Sequence, residues 1–329
     1  PAPDYARVAY HYTVSQEHET AAERWFRTAI LYRDRADYPN FRWALTQSAK
    51  SLRAAKVKAS DGRWTELSIY WVLCRRVMGE AREVRRRCGL TVRRAKSTKD
   101  HRLIAQALRE QARLNRVLDG YTDALEPMSE ALKHAKKTTL IKLHTILRTD
   151  LALLYSHLGR LHEARALLHM ISASLEKGFE GQALQHAVDF FQVSASVASR
   201  SGNYEEALRC ATESYAAVED SPSKRSRGHA LNLLGEAQRS LGLHQEAIES
   251  YAAAAECYCA IESIDTPITF LNQAFIYCEL QDYDAALECV LFARRWLGSS
   301  SMVTAVICDF MDGLLHLFLD EIQVFEEHA

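Results

Sequence analysis

One six-residue phrase recurs five times in this chain at a nearly constant interval, and that recurrence limits the possible folds more than any other feature. The phrase is a Gly or a polar residue, an aromatic or Leu two places on, an acidic residue or its near equivalent, and a closing Ala. It reads Asp119-Gly120-Tyr121-Thr122-Asp123-Ala124, Gly159-Arg160-Leu161-His162-Glu163-Ala164, Gly202-Asn203-Tyr204-Glu205-Glu206-Ala207, Gly242-Leu243-His244-Gln245-Glu246-Ala247 and Gln281-Asp282-Tyr283-Asp284-Ala285-Ala286. The closing alanines stand 40, 43, 40 and 39 residues apart. A period of that size marks an array in which each unit buries a face only by stacking on its neighbours.

Composition makes those units helical. The 329 residues include only 13 Gly and 6 Pro, Ala, Leu, Arg and Glu fill long stretches, and strand-like runs of Val, Ile and Thr are missing. The expectation is an all-α fold, an α-α superhelix built as a solenoid of antiparallel helix pairs. Upstream of the clear copies, helices are expected around 20–35, 41–56, 65–78 and 81–96, with Ala44 and Ala81 at the earlier closing positions. Asp100 is placed to cap a helix that begins at His101, and Thr266 to cap one with Pro267 in its first turn. Residues 221–228, with Pro222 and the cluster Lys224, Arg225 and Arg227, read as an exposed loop.

The phrase resembles the turn between the two helices of a tetratricopeptide repeat. The fullest copy has Leu231 and Leu234-Gly235 in the first helix, then Ala247 and Tyr251 in the second. In that pattern Gly235 (Ala152, Ala195 and Ala274 in other copies) lets two helices approach, and Tyr155 and Tyr277 fill the space beside such residues. A period near 40 rather than 34, and no proline after the second helix, place the chain nearer longer-repeat relatives. Those include kinesin light chain-like repeats and the sensor arrays of bacterial regulators. The stretch Tyr38-Pro39-Asn40-Phe41-Arg42-Trp43-Ala44-Leu45, with Tyr70-Trp71 and Gly79-Glu80-Ala81, resembles the start of the helical repeats in bacterial signal-transduction ATPases and related transcription factors. No phosphate-binding G-x-x-x-x-G-K-[ST] loop occurs, so an ATPase would lie outside this chain. Three segments are expected: degenerate, basic repeats over 1–100, the regular repeats over 101–300, and an apolar capping helix or partial repeat over 301–329.

Catalytic chemistry is not visible in the sequence. The thirteen histidines are scattered; His157, His162 and His169 fit neither H-E-x-x-H nor a zinc knuckle. There is no G-x-S-x-G and no dinucleotide fingerprint, so the chain reads as a non-enzyme without metal or cofactor. The eight cysteines form no C-x-x-C pair and sit in helical patterns as small hydrophobes, which points to a reducing, cytoplasmic setting. No secretion signal is apparent, and Asp309, Asp312, His316 and Asp320 interrupt the most apolar stretch, which argues against a membrane span.

In repeats of this kind the first helices line the binding face. The phase puts Arg109, Arg113 and Arg116 on that face, then Asp189 and Gln192, then His229, Asn232, Glu236 and Arg239. The three arginines suit an anionic partner such as acidic side chains, a terminal carboxylate or a phosphate; the competing reading is a solvated face paired with Glu110 and nearby acids. The carboxylate-clamp members of the family use Lys and Asn at set inner positions, where this chain has Val193 and Leu233, so chaperone-tail binding is disfavoured.

Residues 1–200 carry 34 Lys and Arg against 21 Asp and Glu, and residues 201–329 carry 7 against 21, although the whole chain sums to −1. From Arg75 to Arg102 there are 11 basic residues and 3 acidic ones, but no recognised nucleic-acid motif, and Arg85, Arg86 and Arg87 point three ways on one helix. Nucleic acid is therefore disfavoured relative to an acidic protein. The terminal helix, with Val303, Val306, Ile307, Phe310, Leu314, Phe318, Ile322 and Phe325, is expected to fold partly onto the Ala286 repeat and to leave an apolar remainder for a homodimer or a missing segment. Three functions follow as expectations. The first is a protein- or peptide-binding sensor or scaffold module of an intracellular signalling protein. The second is a ligand-controlled regulator like the peptide-pheromone receptors, against which stands the shortness of the first 35 residues as an effector domain. The third and weakest is a nucleic-acid-binding solenoid.

Overall fold

The structure is a computed structural model that describes residues 5–35, 37–175, 184–221, 223–263, 265–297 and 302–327; side chains within 173–187, 298–303 and 320–329 lie outside the description. Every regular element among the described residues is a helix. In chain order they are α1 (Tyr5–Val14), α2 (His18–Asp34), α3 (Tyr38–Ala54), α4 (Gly62–Val77), α5 (Ala81–Thr98), α6 (His101–Leu118), α7 (Tyr121–Ala135), α8 (Ile141–His157) and α9 (Leu161–Leu175), followed by α10 (Leu184–Arg200), α11 (Tyr204–Ala216), α12 (Lys224–Ser240), α13 (His244–Cys259), α14 (Thr266–Glu279), α15 (Tyr283–Arg295) and α16 (Met302–Glu327). The chain divides into two compact units, one ending at Lys177 and the other beginning at Gly178. In the first, α2 packs on α3, α4 on α5, α6 on α7 and α8 on α9; in the second, α10 packs on α11, α12 on α13 and α14 on α15, with α16 against α15.

The recurring phrase is the turn inside each pair, and its chemistry explains its spelling. In four of the five copies its first residue ends the first helix in the left-handed region, with φ of 73° at Gly159, 74° at Gly202, 76° at Gly242 and 61° at Gln281; in the first copy the positive φ, 103°, falls on the second residue, Gly120. Glycine meets no Cβ penalty there. The third residue opens the second helix at Leu161, Tyr204, His244 and Tyr283. Asn203 and Asp282, in the second place, cap that helix by accepting from the amides of Glu206 (3.3 Å) and Ala285 (3.1 Å). The closing alanines Ala124, Ala164, Ala207, Ala247 and Ala286 are all fully buried.

Gly235 takes part in the close approach expected of it. A Cβ there would stand 2.8 Å from the ring carbons of Tyr251, so the ring rather than Ala247 is what lies against the glycine. Four boundary expectations need correction. The turn before α5 starts at Gly79, so Ala81 opens the helix and buried Val84 takes the closing place. By the same count from the α3 cap Asp37, the closing place falls on Phe41, one turn before Ala44. Lys224–Gly228 is the first turn of α12, capped by Ser223, rather than loop; Pro222 lies outside the described residues. Helix α14 is preceded by Asp265, and the Thr266 hydroxyl donates back to the Ser263 carbonyl (2.8 Å) rather than capping forward. Asp100 caps α6 as expected, accepting from the amides of Arg102 and Leu103.

Helix α16 packs partly onto the Ala286 pair, through Cys308, Met311 and Leu315 against Ala286, Val290 and Ala293, and Phe318 stacks on Tyr283 at 5.4 Å. Val306, Phe310, Leu314 and Leu317 remain exposed; Val303, Ile322 and Phe325 lie outside the described side chains. No helix among the described residues is long and apolar enough to cross a membrane. The eight cysteines are all unpaired, and burial pushes the thiols of Cys74 and Cys289 up to about 11 and those of Cys88 and Cys210 up to about 12.

Candidate binding surface on the first helices

The first helices of successive pairs touch one another: α4 with α6 in the first unit, and α10 with α12 and α12 with α14 in the second. The polar side chains that cross between them sit about one repeat apart, so each contact links equivalent positions in neighbouring pairs. In the first unit Arg102 binds Glu66 (2.5 Å), Arg76 binds Glu110 (3.1 Å), and Arg109 and Arg113 close on the two carboxylate oxygens of Asp150 at 2.5 and 2.9 Å.

Two of the three arginines of the stripe are therefore engaged. Arg109 and Arg113 form a two-armed clamp across to α8, while Arg116, one turn further along α6, has no acidic partner among the described residues. Glu110 is not the solvated counter-ion of the stripe; it is 3% exposed and faces Arg76. Burial pushes its carboxyl upward, but the guanidiniums of Arg76, Arg113 and Arg109 outweigh burial and hold it below the usual range. Burial likewise opposes ionisation of Asp150, and its two arginines hold it well below the ordinary carboxylate value. Arg76 moves the other way: burial lowers it, Glu110 opposes, and Arg113 and Arg116 repel it. The cluster contains four guanidiniums and two carboxylates, an excess of two positive charges in a partly desolvated place.

In the second unit the expected residues share the α12 face. Asn232 is buried, donates from Nδ2 to Glu236 (2.9 Å) and accepts from Asn272 of α14 (3.0 Å). Arg239 reaches Glu279 at 2.5 Å. His229 and Glu236 are open to solvent, yet protein crowds them enough that desolvation lowers the imidazole and raises the carboxyl. For His229, Asp265 opposes and Arg225 assists; for Glu236, Asn232, Arg239 and Arg200 oppose. Asp189 and Gln192 are half-buried on α10.

Sequence reasoning missed Glu66, Arg76, Asp150, Asn272 and Glu279. The repeat period was the available signal, because Asn232 and Asn272, Arg239 and Glu279, and Arg225 and Asp265 are each 40 positions apart. The basic stretch from Arg75 to Arg102 is likewise partly neutralised, with Arg75 on Glu80, Arg85 on Asp119 and Lys96 on Glu130 besides Arg76 and Arg102.

The family model for the tetratricopeptide repeat matches residues 190–260, from within α10 to the end of α13. No curated protein sequence matches the chain significantly. Among solved structures, a signal-transduction ATPase with numerous domains that carries a tetratricopeptide repeat sensor, from Pyrococcus horikoshii, is similar at a TM-score of 0.60 and 17% identity. The likeness covers 85% of this chain and 40% of that one, so this chain spans well under half of that protein's length. A Rap protein complexed with competence and sporulation factor superposes at a TM-score of 0.67 and 12% identity, over 94% of this chain and 90% of that one. NprR in complex with its cognate peptide NprX gives 0.62 and 14%, over 93% and 84%. At such identities the likenesses bear on fold. With the family match over α10–α13, the buried closing alanines and the glycine–tyrosine helix contact, they show a tetratricopeptide-like helical-repeat fold.

Proposed function

We propose that this chain is a non-catalytic, cytoplasmic binding module, the sensor or scaffold part of a signalling or regulatory protein, and that the α4–α6–α8 face of its first unit takes an acidic peptide or protein segment. The observation that carries this reading is the excess of two positive charges around Arg76, Arg109, Arg113 and Arg116, with Arg116 lacking an acidic partner among the described residues. A guanidinium in such a setting gains most from a carboxylate, where a charge-assisted hydrogen bond contributes about 1.5–3 kcal/mol. Regulation by a peptide ligand is the second reading, favoured by the fold likeness to Rap and NprR structures that contain a bound factor or peptide.

Arg116 rather than Arg113 is the residue that tests this reading. Arg113 clamps Asp150, so Arg113→Glu would set two carboxylates against each other and disturb the helix stack. Arg116→Glu leaves the described ion pairs intact. With a fluorescein-labelled decapeptide of alternating Glu and Leu as probe, anisotropy titration is expected to show saturable binding that weakens with added salt. Arg116→Glu is expected to weaken it about tenfold or more, which is about 1.4 kcal/mol. Equal binding of the matching Lys–Leu peptide, or no effect of Arg116→Glu, would overturn the assignment.

A further inference from the structure

The face of α4 opposite the inner ion pairs bounds a second feature. Glu66, Tyr70 and Arg76 look toward the neighbouring first helices, whereas Trp64, Leu67 and Trp71 recur at helical spacing on another side of α4. There α4 meets α3 and α5 loosely enough to leave a cavity of about 200 Å³. Trp64, Leu67 and Trp71 form its apolar wall, and Arg53 of α3 and Arg87 and Arg94 of α5 supply its charge. None of the lining residues is acidic.

The three guanidiniums have little to neutralise them. Arg94 donates to the Ala59 carbonyl, and Arg87 lies over the Trp71 ring with its guanidinium carbon 5.6 Å from the ring centre. The Arg53 guanidinium has no hydrogen-bond or ion-pair partner among the described residues. Burial and the nearby Arg75 pull the Arg87 guanidinium below its usual range, the direction of a cation that lacks an anion. The Trp64 indole N–H is already spent on the Val57 carbonyl (3.2 Å), so that ring offers an apolar surface.

We propose that this cavity is a binding site for a monocyclic aryl phosphate, with the ring against Trp64 and Trp71 and the phosphate held by Arg53, Arg87 and Arg94. The charge selects a phosphate over a carboxylate, because a dianion balances three guanidiniums better than a single charge and offers three acceptor oxygens to planar donors. The walls select an aromatic substituent, which stacks on indole and lies near the guanidinium planes. The size selects a single ring, since sites that enclose a larger ligand such as a nucleotide run to about 300–1,000 Å³. The same group could arrive as a free small molecule or as a phosphotyrosine side chain. This site is on a different side of α4 from the proposed peptide face and does not depend on it.

Two indoles in the wall make intrinsic tryptophan fluorescence the natural readout, with calorimetry as a check. Phenyl phosphate is expected to bind the whole chain saturably, about tenfold or more tighter than inorganic phosphate, because only the former uses the wall. Arg53→Gln and Arg87→Gln are each expected to weaken it about tenfold or more, and Arg86→Gln, an exposed α5 arginine outside the cavity lining, to leave it unchanged. A phosphotyrosine pentapeptide that binds about tenfold tighter than phenyl phosphate assigns the peptide source; equal affinities assign the free compound. Circular dichroism melts identical to wild type confirm that each variant is folded. The proposal is overturned if neither aryl phosphate binds saturably, if inorganic phosphate binds as well as both, or if folded Arg53→Gln and Arg87→Gln variants bind as the wild type does.

Discussion

Asp150 concentrates at one residue the tension between burial and pairing that runs through the first unit. It is a half-buried carboxylate on α8 that faces two guanidiniums from α6, and they hold it charged against the cost of desolvation. Unfolded, an aspartate titrates near 3.9 and a glutamate near 4.3. Asp150 and Glu110 both titrate below those values in the fold, so the unfolded chain binds more protons as pH falls through that range. Stability from the clamp is accordingly complete above about pH 4–5, declines as pH drops below the unfolded values, and is gone once pH is under the folded ones. Urea unfolding between pH 6 and 3 is expected to show wild type losing about 1 kcal/mol more than Asp150→Asn does. Parallel pH profiles would show that the clamp is absent in solution. The sequence named Arg109 and Arg113 but not their acid, because the sequence assigns a residue to a face and says nothing of what crosses from the next helix. Asp150 lies 41 positions from Arg109, so the period that exposed the turns also contained this pair.

At the scale of the element, the helix pair α12–α13 is the best-written unit, and it was the most legible. A Cβ on Gly235 would stand 2.8 Å from the Tyr251 ring, and that ring is fully buried. Gly235→Ala gains helix propensity but forces the two helices apart, and the clash wins, with an expected loss of about 1–3 kcal/mol. A thermal melt of Gly235→Ala matching or exceeding wild type would mean that the helices are not so close. Elsewhere the same logic was obscured by substitution. The last turn puts Gln281 in the left-handed region at φ 61°, where glycine is preferred, yet the phrase was still recognisable from Tyr283 and Ala286. At the N-terminal end, Phe41 and Val84 replace the closing alanine, and the nearby Ala44 and Ala81 mimic it in the sequence. The misreading of 221–228 as loop has a different cause. A basic, Ser-rich run looks solvated, but Ser223 caps α12 through the Ser226 amide (3.3 Å) and the positive charges sit in an ordinary first turn.

For the whole molecule, charge and compactness divide the chain at nearly the same place. Residues 1–177 carry 33 Lys and Arg against 19 Asp and Glu, and residues 178–329 carry 8 against 23. Each compact unit also has its own apolar clusters: Trp25, Phe41 and Leu45 in one and Leu103, Leu108 and Met128 in another belong to the first, and Ala286, Val290 and Met311 belong to the second. Repeat arrays draw stability from within each pair and from nearest neighbours, so a break between clusters costs little beyond the neighbour term at the cut. If the arginine face of the first unit binds acidic peptide by itself, residues 1–177 expressed alone retain helical circular dichroism and bind the Glu–Leu decapeptide within about threefold of the whole chain. Residues 178–329, helical but net negative, leave the peptide free. Retained helicity in 1–177 with binding lost would move the ligand site away from Arg116. Binding by the acidic unit instead would turn attention to the Asn232, Glu236 and Asn272 network, where desolvation raises the Glu236 carboxyl against the opposing pull of Asn232, Arg239 and Arg200.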